Sequence, residues 1–230
     1  MEKFLQRSKS SDFYYANISG FVTADGDVFF TDPSKLALKR GLDVVVSAFL
    51  LVFVMVWLFP LIALGIKLSS RGPVLFKQRR HGKGNVIFEC YKFRTMRMNS
   101  EADSRQATKG DPRVTRFGRF LRRSSLDELP QLLNVLKGEM SLVGPRPHAV
   151  PMNELFGSEI ANYMFRHVVK PGITGLAQCK GYRGEVETFF DIYGRIKLDH
   201  FYIKKWCFLL DLKVLYWTVY TVFFRRDKAY

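Results

Sequence analysis

Residues 124–133 read SSLDELPQLL, which sets two adjacent carboxylates, Asp127 and Glu128, between a pair of serines and a proline. Two uses of that stretch are chemically reasonable. Ser124 with Asp127, or Ser125 with Glu128, has the spacing of a capping box, in which a serine and a carboxylate satisfy each other's free backbone N–H groups at a helix start. Pro130 weakens this. With Ser125 as the cap, Pro130 would be the fifth helical residue and would withhold an N–H that the helix needs. A start at Asp127 or later puts the proline in the first turn, where no donor is required. The carboxylates then sit at the mouth of a helix, where free N–H groups and the dipole favour negative charge. Lys92, Arg94, Arg122 and Arg146 lie beside loops or element ends and could complete a phosphate site. Phosphoryl transfer depends on positioning and on charge stabilisation by Arg, Lys and Mg²⁺, and a carboxylate can act as its covalent nucleophile. Taken singly, each cation is an ordinary surface charge.

The chain that must hold these groups has 230 residues, enough for one domain with a real core plus a membrane element. Its 36 Lys and Arg against 21 Asp and Glu give a net charge of +15, so its partners are anionic: nucleic acid, a lipid surface or phosphorylated substrates. The 21 phenylalanines provide more apolar ring area than a basic nucleic-acid binder needs. Cys90, Cys179 and Cys207 are far apart, with neither CxxC spacing nor a histidine pair for zinc, which fits a reducing cytosol. MEKFLQRSKSSDF lacks the apolar run of a secretory signal, so membrane entry is expected through an internal segment.

That segment is Val44 to Ile66, apolar apart from Ser47 and long enough to span a bilayer. Basic residues flank both ends: Lys35, Lys39 and Arg40 before it, Lys67, Arg71, Lys77, Arg79 and Arg80 after it. The positive-inside rule therefore draws both ends to the cytoplasm. Pro60 lacks an N–H and crowds the carbonyl of Val56, so the helix can bend there. The residues alone leave two topologies open, a kinked span and a re-entrant hairpin in one leaflet.

Residues 1–36 form a polar lead-in of unassigned role, with a short hairpin expected around Asp25 and Gly26. After the membrane segment, Val74 to Gln78 and Val86 to Tyr91 alternate about a Gly-rich turn as a β-hairpin that delivers Lys92 and Arg94. Residues 98–112 have the composition of a surface loop, placed as a lid. Val114, Phe117 and Leu121 share one face of a short arginine-rich helix, suited to lying on anionic headgroups with its apolar face inserted. A helix from about Pro130 to Lys137 ends near Gly138 and leads into the rigid loop carrying Arg146. Val214 to Phe224 is too short to span, and Trp206, Tyr216, Trp217 and Tyr220 suit headgroup depth, so a second interfacial helix is expected. The sum is a mainly α-helical chain with one small β-hairpin.

The runs YKFRTM, SSLDELPQLLNVLKGEMSLVGPRP, KPGITGLAQ and LDHFYIKKW, in this order after an apolar segment, closely resemble the bacterial sugar transferases. These are monotopic phosphoglycosyl transferases that act on polyprenol phosphate, and the likeness covers roughly residues 36–226. The resemblance implies residues 37–70 as a re-entrant membrane helix broken at Pro60 and 71–230 as a catalytic domain, with interfacial helices, at the cytosolic face of the bacterial inner membrane. It further implies Mg²⁺-dependent transfer of a sugar 1-phosphate from a UDP-sugar to undecaprenyl phosphate, with UMP released through a covalent aspartyl intermediate, initiating a surface glycan. By motif position Asp127 would be the nucleophile and a Mg²⁺ ligand, and Glu128 its base or orienting partner. Lys92, Arg122 and Arg146 would bind substrate phosphates, and Asp199 would join the metal site. The family often has Ser-Pro at the break, where this chain has Phe59 before Pro60. The stretch GYRGEVETFF resembles members that transfer glucose or galactose 1-phosphate. Anionic lipids of the inner membrane are implied partners, nucleic acid is not, and a homodimer is left open. The competing reading is a non-catalytic basic membrane adaptor, in which Asp127 and Glu128 would be ordinary helix-end residues.

Overall fold

The computed structural model describes residues 32–98, 108, 110–182, 184, 186 and 188–224. The hairpin expected at Asp25 and Gly26 and most of the 98–112 loop lie outside the described residues. Helix α1 (Pro33–Leu50) starts at Asp32, whose side chain accepts from the backbone of Ser34 and Lys35, with Pro33 in the first turn. A π-type turn at Leu51–Met55 joins it to α2 (Val56–Ser69), and the whole is long and apolar enough to cross a membrane. The helix continues through Pro60. The π-type turn lies just before Val56, whose carbonyl the proline ring crowds, and the helix shows no break at Pro60, contrary to the expectation from the sequence.

Both ends of this helix dock on the rest of the chain. Near its start, Lys39 is buried against Asp211, Arg40 caps the carbonyls of Val135 and Leu136, and Asp43 accepts from Ser141 and Leu142. At its end, Arg94 donates to the carbonyls of Ser70 and Arg71, and Ile62 and Ile66 pack with Phe93 and Leu121. Lys39, Arg40 and Arg94 are thus used inside the fold: the first two do more than flank the apolar segment, and Arg94 is not a site cation. Between the docked ends Val45, Phe53, Trp57 and Leu61 remain exposed.

The expected hairpin is present as β1 (Leu75–His81) and β2 (Ile87–Phe93), antiparallel with Phe76 opposite Lys92. Helix α3 (Arg116–Ser124) begins at Thr115, whose hydroxyl accepts from the Gly118 N–H. Gly118 is required because a Cβ there would collide with the Thr95 carbonyl. The apolar face of α3 does not enter lipid. Leu121 is fully buried and Phe117 packs on Gly65 of α2, because protein already covers that side. Burying a leucine contributes about 1.5–3 kcal/mol, so this seam fixes α3 firmly against the membrane helix.

A single 3₁₀ turn, Leu126–Glu128, leads into α4 (Gln131–Lys137), which Gly138 ends in a left-handed conformation. Two short strands that the sequence did not suggest, β3 (Ser141–Val143) and β4 (Gly172–Thr174), pair in parallel. Helix α5 (Val150–Glu159) lies between them in the chain and packs on β1, and the one-turn α6 (Leu176–Cys179) follows β4. Helix α7 (Phe189–Lys204) starts with a true capping box, Thr188 and Asp191. Helix α8 (Phe208–Phe224) presents Tyr216 and Tyr220 outward but buries Val214 and Asp211. Trp206, expected at headgroup depth, is instead buried and donates to Asp211. Three hydrophobic clusters form among the described residues, and Leu51 and Leu129 touch two of them. Leu129 follows the carboxylate pair directly, so the pair is anchored where the two cores meet.

Candidate active site

Ser125 decides the local geometry. It adopts a left-handed conformation, φ 59°, which ends α3 and turns the chain into the 3₁₀ segment. The Ser124 hydroxyl donates back to the carbonyls of Phe120 and Leu121. The serines therefore terminate the arginine helix, and neither forms a capping box with the carboxylates. Pro130 lies in the first turn before α4, as its missing donor requires.

Three elements converge on the pair. Strand β2 brings Lys92, whose Nζ donates to Glu128 Oε1 at 2.8 Å. Asn134 of α4 ties that strand in place, accepting from the Tyr91 N–H and donating to the Glu89 carbonyl. The loop after β3 brings Arg146, whose guanidinium grips both oxygens of Glu128, one of them at 3.0 Å. The loop is itself pinned: Arg166 donates to the Arg146 carbonyl at 2.8 Å and Arg80 to the Pro147 carbonyl at 2.6 Å. From α3, Arg122 is oriented by Thr95, which accepts from its Nε at 2.9 Å.

Glu128 thus carries two cations in an almost enclosed position, with its side chain 13% exposed. Asp127 carries neither a hydrogen bond nor an ion pair among the described residues. The titration behaviour separates the two in the same way. Burial pushes the Asp127 carboxyl up to about 6, the adjacent Glu128 charge adds to this, and Lys92, Arg122 and Arg146 oppose it. Burial acts on Glu128 too, but the charges of Arg146 and Lys92 and their hydrogen bonds outweigh it and hold Glu128 well below the usual range. Burial also lowers Lys92, more than Glu128 raises it.

The structure therefore brings together five of the seven residues singled out from the sequence: Lys92, Arg122, Asp127, Glu128 and Arg146; Arg94 instead binds the end of α2. Asp199 is elsewhere. It is buried in α7, ion-paired with Arg166 at 2.6 Å, and is linked to the site through the hold of Arg166 on the Arg146 carbonyl. Arg80, Thr95 and Arg166 escaped the sequence reading, and nothing in their local pattern marks them. Each acts by holding another group across the fold.

No cluster of three or more ligating side chains exists among the described residues, so a preformed metal cage is not present there. The unpaired Asp127 carboxylate, half-buried beside three cations, suits an ion that takes one or two carboxylates and completes its shell with substrate phosphates and water, as Mg²⁺ does.

A sequence profile of the bacterial sugar transferase family matches residues 34–225. A "UDP-glucose:undecaprenyl-phosphate glucose-1-phosphate transferase" of Klebsiella pneumoniae is 48% identical over 194 residues, covering 84% of this chain and 42% of that protein. A protein of the same name from Xanthomonas campestris pv. campestris is 51% identical over 178 residues, 75% of this chain and 37% of its own. A "UDP-N-acetylgalactosamine-undecaprenyl-phosphate N-acetylgalactosaminephosphotransferase" of Aeromonas hydrophila is 44% identical over 194 residues, 83% of this chain and 44% of its own. The chain spans about two fifths of the length of these relatives.

Proposed function

The chain belongs to the bacterial sugar transferase family, and from that premise we propose that it transfers a sugar 1-phosphate from a UDP-sugar to undecaprenyl phosphate, releasing UMP. The observation that carries this is the division of labour between two adjacent carboxylates. Glu128 is saturated by Lys92 and Arg146, while Asp127 stands unpaired among the same cations.

An oxygen of Asp127 attacks the phosphorus that bears the sugar. The bond from that phosphorus to the bridging oxygen breaks, UMP leaves with the electron pair, and the phosphosugar stays on the carboxylate as an acyl phosphate. An oxygen of undecaprenyl phosphate then attacks the same phosphorus, and the aspartyl C–O–P linkage opens to regenerate the carboxylate. Lys92, Arg122 and Arg146 balance charge on the phosphates in both steps, from positions fixed before substrate arrives. Glu128 acts as the orienting group that holds Lys92 and Arg146; a carboxyl held so far below the usual range is a poor base at neutral pH. Mg²⁺ would be held by Asp127 and the substrate diphosphate, where it would neutralise charge on the departing UMP. Asp199 fits a supporting role through Arg166 rather than that of a ligand.

Both ends of the membrane helix dock on one protein body and leave its middle apolar and exposed, which supports a re-entrant segment at the cytosolic face of the inner membrane. Such a seat holds Asp127 where a lipid phosphate and a soluble nucleotide both arrive. Glucose is the proposed sugar, after the names of the Klebsiella and Xanthomonas relatives. The test is UMP release from UDP-glucose, UDP-galactose and UDP-N-acetylhexosamines with undecaprenyl phosphate and Mg²⁺. Release is expected to be fastest with UDP-glucose, and silence with every sugar would refute the reaction.

A further inference from the structure

A cavity of about 180 Å³ opens beside the carboxylate pair. Ser125 and Glu128 contribute to its wall, continued by Leu129 and Leu132. Leu50 of α1 and Leu215, Thr218 and Val222 of α8 supply more of it, with Ile173 and Cys179 among the rest. The two membrane-facing helices and the catalytic turn thus share one hollow.

Away from Glu128, the polar atoms of the wall are used within the wall. Thr218 Oγ1 donates to the Val214 carbonyl at 2.7 Å, which leaves it to accept from Thr174 Oγ1 at 2.6 Å. Thr221 donates to the Trp217 carbonyl, and Cys179 Sγ lies 3.5 Å from the Val214 carbonyl. Gln178 donates to the Ile173 carbonyl, and only its Oε1 is buried without a partner. A buried water needs two to four polar partners, and a cavity of about 150 Å³ lined by apolar groups stays dry and takes up benzene. This hollow is open on one side rather than enclosed, but its wall is mostly apolar and offers few free polar partners, so its fitting occupant is a compact hydrocarbon of one or two branched five-carbon units. One end of the hollow is Glu128, which Lys92 and Arg146 hold, so that end lies next to the cations proposed to bind phosphate.

We propose that the cavity binds the isoprene units next to the phosphate of the acceptor lipid, so that the protein recognises a polyprenyl phosphate by the hydrocarbon beside its head as well as by charge. The identity of the lipid rests on the transferase reading; the hydrocarbon pocket rests on the geometry alone.

Cys179 lies in the wall, Cys90 is buried and Cys207 is exposed. In the full chain carrying Cys207→Ser, held in nanodiscs, maleimide alkylation therefore reads Cys179. Geranyl phosphate is expected to slow it about tenfold, whereas inorganic phosphate and a straight-chain lysophosphatidic acid are not. Equal protection by all three, or by none, overturns the proposal. Independently, Leu215→Trp and Thr218→Phe fill the hollow and are expected to raise KM for undecaprenyl phosphate about tenfold more than KM for the UDP-sugar. KM values that move together, or not at all, count against it. Protection of Cys179 in a chain that releases no UMP would sink the transferase reading and leave the pocket standing. UMP release with no protection and no KM split would do the reverse.

Discussion

Lys39 with Asp211, at the foot of the membrane helix, and Lys92 with Glu128, at the mouth of α4, are both largely buried ion pairs, 2.6 and 2.8 Å long. Their surroundings differ. Around Asp211, Tyr202 donates to one oxygen at 2.6 Å, Lys39 and Trp206 donate to the other, and Lys39 also reaches the Val143 carbonyl. That network is closed, and it ties α1, β3, α7 and α8 into one block. Around Glu128 the cations outnumber the carboxylate they hold, and its neighbour Asp127 is left unpaired. Lys92, Arg122 and Arg146 all act on the carboxylate pair, so the site presents positive charge to an incoming phosphate. A closed network fixes geometry. An open one, carried on that geometry, is short of an anion and has a nucleophile to spare.

The contrast breaks most visibly at Asp127. Asp127→Asn is expected to lower UMP release about 10³-fold or more while the protein still folds and binds membranes, because no other carboxylate in the site is free to attack. Activity close to the parent would remove the nucleophile from the mechanism.

At the closed network the expected loss is one of stability. Asp211→Asn leaves Lys39 as a buried charge without its counter-ion, which costs about 3–5 kcal/mol. For a chain of this size that lowers Tm by roughly 10 °C. Replacing both partners together, Lys39→Met with Asp211→Leu, is expected to recover most of the loss. If the single variant melts like the parent, the clasp is not what holds the helix.

A smaller effect is expected where the open site borrows rigidity. Thr95→Val keeps the side-chain volume but removes the acceptor of Arg122 Nε, loosening one of the three cations. About a fivefold fall in kcat with little change in Tm is expected, since a single hydrogen bond to a charged group contributes about 1.5–3 kcal/mol at most. An unaltered kcat would show that Arg122 is positioned by other contacts.

The two networks were also unequally legible in the sequence. The open one could be found because its members sit at punctuation: Asp127 and Glu128 before Pro130, and Arg146 between two prolines. The β-hairpin and α4 were likewise visible from alternation and from Gly138. The closed network left no such mark, because Lys39 and Asp211 are 172 residues apart and look like a flanking charge and a break in an apolar run. For the same reason Lys39 and Arg40 were read only as flanking charges, and Trp206 was placed at the interface, when all three are spent inside the protein. The apolar face of α3 was misassigned too, since a stripe of Phe117 and Leu121 does not say whether lipid or another helix covers it. Asp199 was placed in the site by motif, while its partner Arg166 was invisible until the fold brought them together.

The subtlest difference between the networks is a dependence on pH. Asp127 has its folded value raised to about 6 from an ordinary 3.8, chiefly by burial and then by Glu128. The ionised form is therefore the one the fold disfavours: the cost is absent below about pH 4, grows between 4 and 6, and is fully present above 6. UMP release should follow the ionised fraction and rise with pH through about 6, and Glu128→Gln should shift that rise to lower pH by removing the neighbouring charge. Stability should move the other way. After discounting for its partial exposure to water, Asp127→Asn should be more stable than the parent by about 1–2 kcal/mol at pH 7.5 and indistinguishable at pH 4, in urea melts at the two values. An asparagine variant that is less stable at pH 7.5 would mean that Lys92, Arg122 and Arg146 already satisfy the Asp127 anion. The site would then be closed in the manner of Lys39 and Asp211, and the positive charge assigned to the substrate would already be spent.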